Sequence, residues 1–262
     1  MSIKSVGFIG GGRIATVFLG GWSRANALPA KVLVYDCNQE AADKLKARYP
    51  DVEIASLSDA ASQDVVFLAV PPPVVASVLP NVGPALKADG VLVSLVPKFR
   101  IAKLADNLGG FNRITRMIPN AASIVGKGYN PTTFSSSLNE KDQAELCRLF
   151  APLGECIEVP ETQLEAYAVV TAQSLTYFWP QIAMLASLGE TCGLSREAAL
   201  DGIGKMLNGA VAAIRDSGLP VASVQDLVPV RPLADEVTVF VNVAQPKLEG
   251  AWADFVRNSA TW

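Results

Sequence analysis

The fold is decided by residues 5–15, SVGFIGGGRIA, at the start of a chain of 262 residues. The apolar run over residues 5–9 predicts a buried strand, and the periodicity over residues 14–24 predicts a helix. Between them stands a Gly-x-Gly-x-x-Ala pattern, in which Gly10 permits a tight turn, Gly12 lets a pyrophosphate approach the backbone and Ala15 lets the helix pack closely. Because N–H groups at a helix start attract anions, the pattern predicts a dinucleotide site that includes Arg13 and Ile14.

An acidic residue follows the next predicted strand, over residues 32–35. Asp36 stands where a carboxylate accepts hydrogen bonds from the adenosine ribose, and its charge repels a 2′-phosphate. The next three residues include no cation for that phosphate, although Arg13 lies in the glycine turn. The sequence therefore predicts NAD(P)H as the cofactor, with NADH preferred. In the alternative interpretation, Asp36 only caps the helix that starts at Gln39.

The first 160 residues alternate β-rich apolar runs with helical patterns, as expected for a parallel sheet covered by crossover helices. Further strands are predicted over residues 65–69, 91–95, 112–117, 128–134 and 156–159, and further helices over 39–48, 74–86 and from about 139. Beyond residue 160, helices are predicted over 161–188, 195–217 and 246–257, with a loop at 227–232. The expected fold is α/β, with an N-terminal Rossmann-type doubly wound sheet over residues 1–160 and a C-terminal all-helical dimerisation and substrate domain over 161–262.

Composition excludes several classes of function. The 22 Lys and Arg against 25 Asp and Glu argue against nucleic-acid binding, which needs a clustered cationic surface. The chain contains no His, so mechanisms that need imidazole as a base or a metal ligand are excluded. Its four Cys lack the spacing of a metal site, so free thiols, no metal and a cytoplasmic location are expected.

Two segments bear on membranes and assembly. The N-terminus lacks the basic and apolar regions of an export signal. Residues 166–189 are uncharged, but they include polar residues and a proline and have no basic flank, which disfavours a membrane span. We expect this segment to pack against a second subunit, in a homodimer or a larger homo-oligomer.

Three segments resemble the pyrroline-5-carboxylate reductase family: residues 6–15, residues 65–72 (VVFLAVPP) and residues 114–128 (ITRMIPNAASIVGKG). The third carries a Pro-Asn turn followed by Val-Gly-x-Gly, which is the most specific part of the match. The resemblance implies a nicotinamide cofactor on the sheet domain and hydride addition to the C=N carbon of a cyclic imine, in a pocket completed by the helical domain. It also places Val70, Pro71 and Pro72 by the nicotinamide ribose and Asn120 near the reaction centre.

The chain departs from the family in its helical half, where SLTYFWP over residues 174–180 replaces Ser-Gly-Ser-Gly-Pro-Ala-Tyr. Ser174 and Thr176 align with the two hydroxyls of that signature and are candidate donors to a substrate carboxylate, and Tyr177 is expected to line the pocket beside them. The lost glycines and the aromatic residues predict a larger or flatter substrate. In the alternative interpretation, the hydroxyls bond to their own helix and the aromatic side chains only pack.

Two loops differ from the family as well. The small-residue turn after the fifth strand is replaced by VPKFR over residues 96–100, which brings Lys98 and Arg100 near the cofactor cleft. The family's Ser-Pro-Gly-Gly-Thr-Thr loop is replaced by residues 228–232. These cations, together with Arg231, are candidate partners for a substrate anion.

The predicted function is reduction of a C=N bond in a small carboxylated substrate by a cytoplasmic NAD(P)H-dependent oxidoreductase. A protonated iminium is already electrophilic, so the reaction needs no strong base. Two alternatives stay open: keto-acid reduction with Tyr177 as proton donor, and a catalytically inactive NAD(P)-binding sensor. The absence of Lys from residues 162–189 argues against the first, because the related β-hydroxyacid dehydrogenases use a helix Lys as donor.

Overall fold

The computed structural model describes residues 3–259, with the backbone alone for residues 255–259. These residues divide into two compact units. The first comprises residues 3–172 together with 251–259, and the second comprises Gln173–Gly250. The boundary predicted between residues 160 and 161 stays a prediction.

The first unit is built on an eight-stranded sheet with the order β3-β2-β1-β4-β5-β6-β7-β8. Strands β1 to β6 are parallel, β7 runs antiparallel to β6, and β8 is parallel to β7. The strands are β1 (Ser5–Ile9), β2 (Lys31–Tyr35), β3 (Glu53–Ile54), β4 (Val65–Leu68), β5 (Val91–Ser94), β6 (Ile114–Met117), β7 (Gly128–Phe134) and β8 (Gly154–Glu158).

Helices cover both faces of this sheet, so the predicted doubly wound α/β fold is confirmed. They are α1 (Arg13–Arg24), α2 (Gln39–Arg48), α3 (Leu57–Ala61), α4 (Val75–Val82), α5 (Ile101–Asn107) and α6 (Glu140–Phe150). The core on one face joins the strands to α1, α2 and α6, and the core on the other joins them to α3, α4 and α5. In the first core, Phe67 stacks on Phe8 with ring centroids 4.7 Å apart, Phe18 makes T-shaped contacts with both rings, and Trp22 packs against both at a tilt.

Beyond the sheet the chain is helical, as predicted. A short α7 (Leu164–Tyr167) leads into a π-helical segment, Ala168–Gln173, and then into α8 (Leu175–Thr191), α9 (Arg196–Asp216), α10 (Val221–Asp226) and α11 (Ala234–Ser259). The prediction of one continuous helix over residues 161–188 is wrong, because the backbone hydrogen-bonding pattern changes from α-helical to π-helical over Ala168–Gln173. The predicted start of the last helix at Pro246 is wrong too, since α11 begins at Ala234 and contains Pro246.

Two further properties follow from the described residues. The cysteines are free thiols, as predicted, although the sulfur atoms of Cys147 and Cys156 lie 3.9 Å apart. Burial raises the pKa of the Cys156 thiol to about 12.

None of the helices within residues 3–259 is both long and apolar enough to cross a membrane.

Candidate functional site

The glycine turn between β1 and α1 has the conformation that its sequence predicts. Gly10 adopts φ +109°, and a Cβ atom at this position would lie 2.6 Å from the carbonyl oxygen of Ala69. At Gly12 the surroundings are open, and an added Cβ atom would meet no heavy atom within 4 Å. Ala15 is fully buried where α1 packs on the sheet. Gly10 is therefore required by the fold, and Gly12 leaves backbone accessible to a ligand.

The start of α1 carries features of an anion site. Gly12 occupies the N-cap position, and no side chain caps the helix there. The first turn contains no acidic residue, and Arg13 is exposed on it. Because the first N–H groups of a helix have no partner within the helix and lie at the positive end of its dipole, this turn favours a phosphate. These residues fit the pyrophosphate of a nicotinamide dinucleotide.

Asp36 lies at the carboxyl end of β2 and contacts the glycine turn directly. Its Oδ2 atom accepts a hydrogen bond from the N–H of Gly11 at 2.7 Å, and its Oδ1 atom accepts one from the N–H of Asn38 at 2.8 Å. The cap of α2 is Asn38, whose side chain accepts from the N–H of Ala41. The interpretation of Asp36 as only a helix cap is therefore wrong. Each carboxylate oxygen has a second lone pair available for a ribose hydroxyl.

The third part of the predicted cofactor site lies at the end of β4. Strands β1 and β4 are neighbours, although β2 and β3 come between them in sequence, so the sheet has its topological switch point here. Ligands of open α/β sheets bind at such a point, outside the carboxyl ends of the strands. Val70 and Pro72 are half-buried at this edge, and Pro71 is exposed. The same edge thus carries the glycine turn, Asp36 and these three residues.

Asn120 follows β6 and is almost fully buried, with 5% of its surface exposed. Its side-chain oxygen accepts from the N–H of Ala122, and its side-chain nitrogen donates to the carbonyl of Thr171 at 3.3 Å. Its own N–H donates to the side chain of Asn130. These contacts tie the turn after β6 to the π-helical segment.

A buried ion cluster beside this edge was missed by the sequence analysis. Arg116 lies in β6 with 1% of its side chain exposed, 3.0 Å from Glu161 and 2.5 Å from Glu165. Its Nε atom is buried without a hydrogen-bond partner. Glu161 also accepts from the N–H of Ile101 at 2.7 Å, and Glu165 accepts from the N–H of Lys98 at 2.9 Å. The only sequence signal was a charged residue inside an otherwise apolar strand.

The predicted substrate-binding hydroxyls belong to the second unit. The hydroxyl of Tyr177 donates to Ser174 Oγ at 2.7 Å, so these two residues are brought together. Thr176 donates back to the carbonyl of Gln173 at 2.7 Å, which is the local bond expected of a helix hydroxyl. Thr176 and Tyr177 line an open cleft of about 470 Å³, together with Pro180, Gln181, Leu233, Glu236, Val237 and Phe240.

The chain is similar to known oxidoreductases. A family described as NADP oxidoreductase, coenzyme F420-dependent, matches residues 5–98. The pyrroline-5-carboxylate reductase of Corynebacterium melassecola is 27% identical over 220 residues, which are 82% of this chain and 82% of the relative. The same enzyme from Escherichia coli K12 is 25% identical over 227 residues, or 86% of this chain and 84% of the relative.

A solved structure has the same fold over the whole length. The crystal structure of Plasmodium falciparum pyrroline carboxylate reductase with NADP bound has a TM-score of 0.74 and 23% identity, and the match covers 98% of this chain and 97% of that chain. The relatives therefore match the sheet and the helical region alike. Together with the three resembling segments, these matches show that the chain is similar to pyrroline-5-carboxylate reductases over most of its length.

Proposed function

We propose that the protein reduces a C=N bond in a small carboxylated substrate, a cyclic imine similar to pyrroline-5-carboxylate, at the expense of NAD(P)H. The observation that carries this proposal is the cofactor edge of the sheet, where Gly12 leaves the start of α1 open and Asp36 borders the same turn. The names of the relatives supply the class of substrate.

The residues of this chain suit imine reduction better than carbonyl reduction. A bound nicotinamide supplies the hydride for the C=N carbon, and the nitrogen of a protonated imine already carries the proton that the amine keeps. The protein then has to orient the substrate, exclude water and stabilise charge, which it does without imidazole in a chain that contains no His. Carbonyl reduction would need a proton donor at the developing alkoxide.

Four residues are proposed to act on the substrate side. Ser174 is the donor to the substrate carboxylate, and Tyr177 supports it through their 2.7 Å hydrogen bond. Thr176 is a second donor, and it would have to give up its bond to Gln173 when a substrate binds. Asn120 acts through position, because both ends of its amide are engaged by backbone groups.

NADH is proposed as the preferred cofactor. Asp36 presents a carboxylate at the ribose position, and the residues after it, Cys37, Asn38 and Gln39, are exposed and carry no positive charge. A 2′-phosphate would meet this carboxylate with only Arg13 as a counter-charge in the glycine turn.

We also propose that the protein forms a homodimer or a larger homo-oligomer and is located in the cytoplasm. The described part of the second unit exposes many large apolar side chains, among them Trp179 at 48%, Met184 at 53% and Phe240 at 47%. Apolar surface on this scale is typical of a protein interface. The partner is therefore proposed to be a second copy that covers helices α8 and α11.

The test is the fall in nicotinamide absorbance when purified protein meets pyrroline-5-carboxylate, run in parallel with NADH and NADPH. We expect turnover with both cofactors and a higher kcat/KM with NADH. Cofactor binding, measured by fluorescence titration, without turnover on pyrroline-5-carboxylate, on bulkier cyclic imines or on keto acids would overturn the proposal. That result would favour a sensor.

A further inference from the structure

The turn after β5 contains a strained residue. Lys98 adopts φ +76°, and among the described residues only Asn26 shares a positive φ without being glycine. A lysine in this region is disfavoured by contact between Cβ and the backbone, so the surrounding structure has to hold it there. Pro97 precedes it, as proline often precedes the positive-φ position of a type II turn.

The hydrogen bonds around the turn identify what holds it. Oε1 of Glu165 accepts from the N–H of Lys98 at 2.9 Å, and the same oxygen accepts from Arg116. Arg116 is fixed in turn by its second carboxylate, Glu161. One buried guanidinium thus orients the acceptor that anchors the strained peptide.

The turn lies on the cofactor edge of the sheet. Strand β5 pairs with β4, with Ser94 opposite Leu68, and the N–H of Leu95 donates to the carbonyl of Leu68 at 3.0 Å. The residues after β5 therefore continue beside the residues after β4, where Val70, Pro71 and Pro72 are proposed to contact the nicotinamide end of the cofactor.

Glu161 provides an internal comparison for Glu165. It binds the same guanidinium and also accepts a backbone N–H, that of Ile101. Ile101 begins α5, and the residue before it, Arg100, has φ −68°, so no strained conformation depends on this bond. The two carboxylates have equal charge and share Arg116, but only Glu165 anchors the residue with positive φ.

We infer that Glu165 is a positioning residue, which holds the Lys98 turn in the conformation that hydride transfer requires. This inference rests on the function proposed above. Its expected signature is a loss of kcat with little change in cofactor affinity, because the phosphate and ribose contacts lie at the glycine turn and Asp36.

The experiment compares Glu165→Met, Glu165→Gln and Glu161→Met. Met keeps the length of the side chain and removes the acceptor, whereas Gln keeps an acceptor oxygen. We expect Glu165→Met to lower kcat at saturating substrate on the order of tenfold, while the Kd for NADH stays within about twofold. Glu165→Gln should recover most of the loss, and Glu161→Met should cost less than about threefold.

A second variant separates positioning from general damage to the fold. Glycine tolerates positive φ, so Lys98→Gly added to Glu165→Met should restore part of kcat at saturating substrate. If Glu165 has only a structural role, both glutamate variants lower kcat and the melting temperature in parallel and glycine rescues neither. That pattern would overturn the inference.

A readout without turnover distinguishes this inference from the proposed function. Amide hydrogen exchange at Lys98 should be slow in the wild type and on the order of tenfold faster in Glu165→Met, but not in Glu161→Met. The emission of bound NADH, which reports the surroundings of the nicotinamide, should change in the same variant alone. If the wild type reduces no imine, the proposed function fails, and unchanged exchange and emission in Glu165→Met would overturn the positioning role separately.

Discussion

The carboxylate of Asp36 accepts a hydrogen bond from the backbone N–H of Gly11 at 2.7 Å, across 25 positions of sequence. This bond joins the residue proposed to contact the adenosine ribose to the turn proposed to contact the pyrophosphate. The two parts of the cofactor site are therefore one hydrogen-bonded structure, and a change at Asp36 should alter both the choice of cofactor and the rigidity of the turn.

Cofactor preference should reverse when the charge at Asp36 is replaced. We expect Asp36→Ser combined with Cys37→Arg to lower kcat/KM for NADH relative to NADPH by about tenfold or more, since hydrogen bonds to charged groups contribute about 1.5 to 3 kcal/mol. Cys37 is the better site for the added cation than Asn38, because Asn38 caps α2. Cys37→Arg alone is the control, and an unchanged ratio in the double variant would refute the ribose role of Asp36.

Alanine substitutions at Gly10 and Gly12 should have different effects on stability and on NADH binding. Gly12→Ala meets no heavy atom within 4 Å, so the melting temperature should stay close to that of the wild type while the Kd for NADH rises by about tenfold. Gly10→Ala places Cβ 2.6 Å from a backbone carbonyl at positive φ, so it should lower the melting temperature as well. Thermal unfolding and fluorescence titration on both variants check this, and equal NADH affinity in Gly12→Ala and wild type would exclude backbone approach at Gly12.

The sheet could be predicted because its signals are local. The bounds of β1, α2 and β7 coincide with the predicted ones, since apolar runs and helical periodicity mark these elements within their own segments. Two short elements were not predicted: β3 consists of two exposed residues, and α3 is five residues long. Neither is long enough to show a period.

The rest depends on contacts that sequence spacing does not reveal. Arg116 is buried because two carboxylates 45 and 49 positions further on neutralise it. The sequence does not predict the start of α11 at Ala234, because the first turns of this helix contain four β-branched residues that are poor helix formers: Val237, Val239, Val241 and Val243. Proline is common at the first position of a helix, so the sequence predicts a helix start at Pro246, whereas Pro246 lies inside α11. The site residues Ser174 and Thr176 stay predictions.

Stability should depend on pH through Asp64, which links the starts of β1 and β4. Its Oδ2 atom accepts the N–H groups of Lys4 and Ser5 at 3.0 Å each, and its Oδ1 atom lies 2.7 Å from Lys87 Nζ. Burial acts to raise the pKa of Asp64, but the hydrogen bonds from Lys87, Lys4 and Ser5 outweigh it and hold the pKa below its ordinary value of 3.8.

A carboxyl whose pKa is lowered in the folded state stabilises that state above its unfolded pKa, and the contribution disappears as the pH falls through the folded pKa. Asp64→Asn should therefore reduce the free energy of unfolding by about 2 kcal/mol at neutral pH, with the difference from wild type shrinking below about pH 4. Urea unfolding across this pH range is the measurement. The exposed Asp51→Asn is the control, and a difference that does not change with pH would contradict the role of the Asp64 charge.

Substitution of Tyr177 distinguishes imine reduction from carbonyl reduction. The Tyr177 hydroxyl donates to Ser174, so in imine reduction it supports a substrate contact and takes no part in proton transfer. Tyr177→Phe should then lower kcat/KM by about threefold, the effect of one neutral hydrogen bond, and leave the Kd for NADH unchanged. In carbonyl reduction the same hydroxyl would be the general acid, and its loss would cost about a hundredfold or more. Ser174→Ala tests the other partner of the bond and should give the larger increase in KM, because it removes the proposed donor to the substrate carboxylate. Steady-state kinetics on a cyclic imine and a keto acid decide the matter, and near-complete loss of activity in Tyr177→Phe would assign the proton-donor role to Tyr177 and overturn imine reduction as the reaction.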